Sequence, residues 1–202
     1  MVLGFIFLLM LQTEHGGHHP PRDAEAYAKI LEDPERDRWQ KPLVVIEALR
    51  LRPNEIVADI GAGSGYFTRR IAIHVSKVFA VDLDAKLLAK TKDSSPANVE
   101  TVLAKPDDPK LPPESVDTIF FCDVLHHIEN RAAYYKKLNA ALKPGGRIVI
   151  VDFHKRELPV GPKPPMKLEP EQVKAEFEHA GFRLKSEHRG LLEYQYFLEF
   201  ER

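Results

Sequence analysis

Val57-Ala58-Asp59-Ile60-Gly61-Ala62-Gly63-Ser64-Gly65-Tyr66 is an apolar run that carries one acid near its end and then breaks into three glycines at alternate positions. A short apolar run followed by glycines and then a helix-compatible stretch predicts a buried strand, a tight turn and a helix start. Glycine lets backbone approach a ligand that a Cβ would hold off. The spacing is G-x-G-x-G, whereas a dinucleotide fingerprint needs its third glycine where this chain has Tyr66. A carboxylate at Asp59 would repel a pyrophosphate and favour a ligand bearing an ammonium group. An NAD-dependent oxidoreductase is therefore the rival reading, and both features argue against it.

Outward from this motif the chain alternates apolar runs with helical patterns, which predicts an α/β, doubly wound, mostly parallel sheet. Strands are expected at 56–60, 78–81, 99–103, 118–122 and 147–151, apolar enough to be buried on both faces. Asp33-Pro34 and Lys41-Pro42 read as helix starts ahead of the first strand, because proline is tolerated at the first helical position. Five prolines between 158 and 170 predict an irregular crossing loop. A helix over 171–179, closed by Gly181, and strands over 182–188 and 194–200 complete the pattern.

Asp82 ends the second expected strand, 21 residues beyond Gly61, in Val81-Asp82-Leu83-Asp84. An acid there can accept hydrogen bonds from both hydroxyls of an adenosine ribose, while Asp84 reads as a helix cap. Further along come Cys122-Asp123-Val124-Leu125-His126-His127-Ile128 at the end of the fourth strand and Leu142-Lys143-Pro144-Gly145-Gly146-Arg147 before the fifth. From about Val57 to Phe153 the chain resembles the class I S-adenosylmethionine-dependent methyltransferases, especially the small-molecule branch called methyltransferase type 11 or UbiE-like. The resemblance implies a Rossmann-like seven-stranded sheet with an antiparallel last strand, S-adenosylmethionine as cofactor and a small-molecule methyl acceptor. It also implies that Asp59, Gly61, Ala62, Gly63, Ser64, Gly65 and Tyr66 hold the methionine part, that Asp82 and Leu83 serve the ribose, and that Asp123 borders the cofactor. The family's acid after strand three is displaced in Ala104-Lys105-Pro106-Asp107-Asp108, and Asp107 is the residue assigned to the adenine amine. A non-catalytic S-adenosylmethionine-binding module is a third reading.

Cys122 reads as a buried core thiol rather than a nucleophile, since it ends an apolar strand and lacks a preceding proline. His126 resembles the general base in the L-H-D-W stretch of small-molecule O-methyltransferases; the competing reading is a histidine that caps or braces the backbone. His154, just past strand five, is a second candidate base. Arg38-Trp39-Gln40, ahead of strand one, is expected near the crevice at the carboxyl ends of the strands, so Trp39 and Gln40 are read as a lid.

Composition narrows the partners. The 202 residues suit one domain, with 29 Lys plus Arg against 30 Asp plus Glu, so no net field draws the chain to nucleic acid. One cysteine excludes an internal disulfide framework, and no metal site is expected. Residues 1–21 are expected to be a leader or linker, 22–52 N-terminal helices, 53–153 the cofactor-binding core and 154–202 a C-terminal helix and strand pair. The apolar stretch from Val2 to Leu11 is half the length of a membrane span. A cytoplasmic location is expected, the alternative being an exported or membrane-associated protein whose residues 1–14 are a degraded signal peptide. His15, His18 and His19 read as a solvated linker.

Overall fold

The computed structural model describes residues 23–202, so the expected leader and its histidines lie outside the described residues. Seven strands form one sheet: β1 (Ile56–Ile60), β2 (Lys77–Asp82), β3 (Val99–Leu103), β4 (Val116–Cys122), β5 (Leu142–Phe153), β6 (Arg183–Glu187) and β7 (Gln195–Glu201). Their order is β3-β2-β1-β4-β5-β7-β6. The first five run parallel, and β7 lies antiparallel between β5 and β6. Among the described residues, no helix is long and apolar enough to cross a membrane.

Helices cover both faces: α1 (Ala24–Leu31), α2 (Arg36–Gln40), α3 (Pro42–Leu49), α4 (Tyr66–Ala72), α5 (Ala85–Ser94), α6 (Arg131–Ala141) and α7 (Pro170–His179). Their starts follow local chemistry. Pro42 and Pro170 open α3 and α7, Asp84 accepts the N–H groups of Lys86 and Leu87, and Asn130 accepts that of Ala133. Side chains alternate across each strand, so neighbours Phe120 and Phe121 enter opposite cores. Phe121 joins Tyr135, Leu138, Phe177 and Phe200, while Phe120 joins Leu49, Phe67, Ile71 and Phe197.

α1 lies ahead of the expected helix starts, the helix expected at Asp33-Pro34 begins at Arg36 after a turn, and two later elements also differ from the expectation. β5 begins at Leu142 rather than Arg147, because Leu142 pairs with Val116 across a bulge and Gly145 turns the backbone at φ 75°. Within the proline-rich crossing loop, 164–166 forms a single 3₁₀ turn. Gly161, at φ +81°, lies against the Phe153 ring, where an added Cβ would come within 2.7 Å.

At the amino ends of the strands, Arg147 ties four elements together. Its guanidinium donates to Thr118 Oγ1, Glu199 Oε1 and the Leu49 carbonyl, and Glu199 is itself buried. Removing it leaves a buried carboxylate with only the half-exposed Lys185 as cationic partner. Arg147→Met should lower the free energy of unfolding by ~3 kcal/mol in a denaturant titration; a loss under ~1 kcal/mol would show that Lys185 alone neutralises Glu199.

Candidate functional site

Parallel pairing brings the carboxyl ends of β1, β2, β4 and β5 to one edge, and an aspartate stands at or beside each end: Asp59, Asp82, Asp123 and Asp152. Cys122 pairs with Val151, which sets Asp123 beside Asp152. Each acid has its own donor. Thr68 Oγ1 donates to Asp59 at 2.6 Å. Asp82 accepts the backbone N–H groups of Gly63 and Asp84 at 2.8 and 2.9 Å, with Leu83 N–H also contributing. Gln195 Nε2 donates to Asp123 at 2.6 Å. Asp152 accepts the Nδ1 hydrogen of His126 and the Phe153 N–H, both at 2.8 Å.

Those donors do not offset burial fully. Burial, together with the neighbouring Asp82 charge, lifts the Asp59 carboxyl to about 6. Burial and the Asp152 charge lift Asp123 to about 6 as well. Asp82 is raised by burial while its backbone donors pull the other way. The crevice is therefore short of positive charge.

The glycine loop turns through three left-handed residues, Gly61, Gly63 and Gly65, at φ 73°, 57° and 89°. Its amides are engaged within the protein: Gly61 and Ala62 donate to the Val81 carbonyl and Gly65 to that of Ala62. A Cβ on Gly61 would come within 2.3 Å of Val124, and one on Gly65 within 2.9 Å of Thr91. Glycine is thus demanded here by backbone sign and by protein packing, a requirement nearer to hand than ligand approach.

Above the loop, α1 and α2 form a cap. Glu32 accepts from Ser64 Oγ and pairs with Arg69; Asp37 accepts the Tyr66 hydroxyl and pairs with Arg70. Gln40 is fully buried, donating to Gln195 Oε1 at 3.0 Å, so it braces the cap to β7 instead of facing solvent. Trp39 is half-buried with its ring 5.7 Å from that of Phe153. The cap thus meets the proline-rich loop over one phenylalanine.

In the turn after β4, only 2% of the His126 side chain is exposed, and its ring is tilted against that of His127 with centroids 4.1 Å apart. Because Asp152 is an acceptor, the neutral imidazole carries its hydrogen on Nδ1 and leaves the lone pair to Nε2. Burial pushes this imidazole down, and Asp152 more than offsets it, leaving the group above its ordinary 6.5. His154 lies further out, edge-on to Tyr196, in a groove it shares with Lys155, Arg156, Glu169, Pro170 and Glu171. Burial and Arg156 hold its ring below the ordinary value.

Asp107 stands apart from this assembly, exposed in a turn closed by the Lys105–Asp108 bridge; desolvation raises Asp108, but its backbone and lysine donors together outweigh it and hold the carboxyl at about 2. The Cys122 thiol is buried and pushed well up by burial, as a core thiol is. Residues absent from the sequence reading are Arg36, Thr68, Asp152 and Gln195, with the buried Lys167, whose ammonium donates to the Arg156 carbonyl at 2.8 Å.

Residues 58–150 match the family described as a methyltransferase domain. The chain is 27% identical over 115 residues to phosphoethanolamine N-methyltransferase 1 of Arabidopsis thaliana, covering 54% of this chain and 23% of that one. It is 28% identical over 137 residues to demethylmenaquinone methyltransferase of Tropheryma whipplei, covering 65% and 56%. The match thus spans about half, or less, of the length of these curated relatives. A crystal structure of a SAM-dependent methyltransferase from Aquifex aeolicus superposes with a TM-score of 0.82 at 24% identity, covering 89% of this chain and 98% of that one. Residues 58–150 are thus similar in sequence to a methyltransferase domain, and most of the described chain shares the fold of a SAM-dependent methyltransferase.

Proposed function

We propose that the protein transfers a methyl group from S-adenosylmethionine to a small-molecule acceptor. The observation that carries this reading is the row of under-neutralised carboxylates around the glycine loop, Asp59, Asp82 and Asp123. A dinucleotide's pyrophosphate would be repelled there, whereas a ligand with an ammonium and a sulfonium supplies the missing charge. The residues fit the cofactor on these grounds: Asp59 and Asp123 for the ammonium, and Asp82 for the ribose hydroxyls. When bound, S-adenosylmethionine supplies an electrophilic methyl carbon. The chain's contribution would be to position the acceptor for that methyl carbon, and positioning is worth up to ~7 to 11 kcal/mol for well-oriented partners.

His126 is the proton acceptor of this reading. Its Nε2 would take the acceptor's proton, with Asp152 holding Nδ1–H and stabilising the imidazolium so formed. The histidine ring is covered, with His127 beside it, so acceptor entry has to displace His127. The Trp39–Phe153 contact is the lid that closes behind the acceptor and excludes water.

Two measurements test this reading. Because Asp59 and Asp123 are raised when folded, the stability they contribute to the ligand-free protein is full below the unfolded carboxylate value and lost as pH rises through about 6. A cationic ligand binds the ionised pair. S-adenosylhomocysteine, which keeps the ammonium, should therefore bind ~10-fold or more tightly at pH 7.5 than at pH 5, with protons released on binding. Affinity independent of pH, or a thermal shift with NAD and none with S-adenosylhomocysteine, would overturn the assignment.

For proton transfer, His126→Ala should lower turnover by ~10²- to 10⁴-fold with cofactor affinity nearly intact. Asp152→Asn removes the charge that raises the imidazole, so the rise of kcat with pH should move to lower pH. A structural brace predicts lost stability in both variants and an unmoved pH profile.

A further inference from the structure

Three guanidinium groups surround the glycine loop, and their partners differ. Arg69 grips both carboxylate oxygens of Glu32 at 2.7 Å and the Ser64 carbonyl at the same distance. Arg70 donates to the Tyr66 carbonyl at 2.7 Å and reaches Asp37 at 3.5 Å. Arg36, the first residue of α2, has a more open shell. Its Nη1 donates to the Leu31 carbonyl at 3.1 Å and its Nη2 to Gln40 Oε1 at 3.3 Å. The nearest carboxylate oxygen the structure pairs with it is Asp123 Oδ2, at 3.9 Å. Its Nε is buried without a hydrogen-bond partner. Only 12% of the side chain reaches solvent.

Such an unfilled donor set, removed from water, is costly unless a ligand completes it. Its position says which ligand. The guanidinium lies 4.0 Å from the centre of the Tyr66 ring, the residue that follows Gly65, and its charge acts on Asp59 and Asp123. A planar cation beside two acids matches a group that carries an ammonium and a carboxylate on one carbon: the acids take the ammonium, and the fork takes the carboxylate.

Resting on the methyltransferase reading, we infer that Arg36 binds the carboxylate of the cofactor's amino-acid end, so that the cap helices read a part of the cofactor that the acids of the sheet edge repel.

The test is calorimetric titration of the full chain with S-adenosylmethionine, with decarboxylated S-adenosylmethionine and with 5′-methylthioadenosine. The wild type should prefer S-adenosylmethionine over its decarboxylated form by ~10- to 100-fold, the value of a charged hydrogen-bonded contact. Arg36→Met should abolish that preference and leave 5′-methylthioadenosine affinity unchanged. Arg36→Lys, which keeps a cation, should retain part of the preference and serves if Arg36→Met does not fold. The inference is overturned if the wild type shows no preference, or if Arg36→Met or Arg36→Lys weakens all three ligands equally, the pattern of a structural residue. Failure of the wild type to bind any of the three would instead remove the cofactor reading itself, and this inference with it.

Discussion

Four aspartates crowded at one edge of a sheet are a constraint that other parts of the chain are arranged to meet. Parallel strands deliver their ends to the same place, so Asp59, Asp82, Asp123 and Asp152 share a region with little water. Mutual repulsion and burial would unfold that edge or protonate it unless donors arrive from elsewhere. The glycine loop supplies the Gly63 amide, α4 the Thr68 hydroxyl, β7 the Gln195 amide, and the turn after β4 the His126 ring. Several placements that look independent are answers to this single electrostatic problem. On the proposed function, the remaining shortfall of positive charge is what draws a cationic ligand to the crevice.

The strand–glycine–helix unit and the acid that ends β2 were legible from local pattern, since each is written within a dozen residues, whereas the antiparallel last strand followed from the family resemblance. Asp152 was overlooked although it carried the same signal as the others, an apolar run closing on an aspartate in Val149-Ile150-Val151-Asp152. Arg36, Gln195 and Thr68 carried no such signal. Arg36 meets Asp123 across 87 positions, and the Gln195–Asp123 contact spans 72, so their roles exist only once the chain has folded. Gln40 was read as a lid residue from its place ahead of strand one; its burial against Gln195 follows from the cap's docking, which no local periodicity encodes.

The glycines teach a related lesson. Their spacing pointed to a ligand-approach surface, yet the close neighbours of the missing Cβ atoms are Val124, Leu31 and Thr91. The loop is pressed between β4, the cap and α5, and its carbonyl at Gly63 is held by Thr91 Oγ1 at 2.9 Å. A rigid loop keeps Asp59 and Asp82 at fixed separation before any ligand arrives, which is how preorganisation limits the entropy lost on binding.

The insertion of β7 between β5 and β6 bears on the order in which the molecule matures. A chain emerging from synthesis completes Asp59, the glycine loop and Asp123 well before Gln195 exists, so Asp123 has no amide donor until the last strand threads into its slot. Pairings of such long sequence separation form late, after the local βα units have collapsed. Until then the carboxylate edge is open and repulsive, and the cap has no Gln195 on which to anchor Gln40. On the proposed function, a chain in which β7 has not yet docked holds Asp123 without its amide donor and presents an incomplete cofactor site.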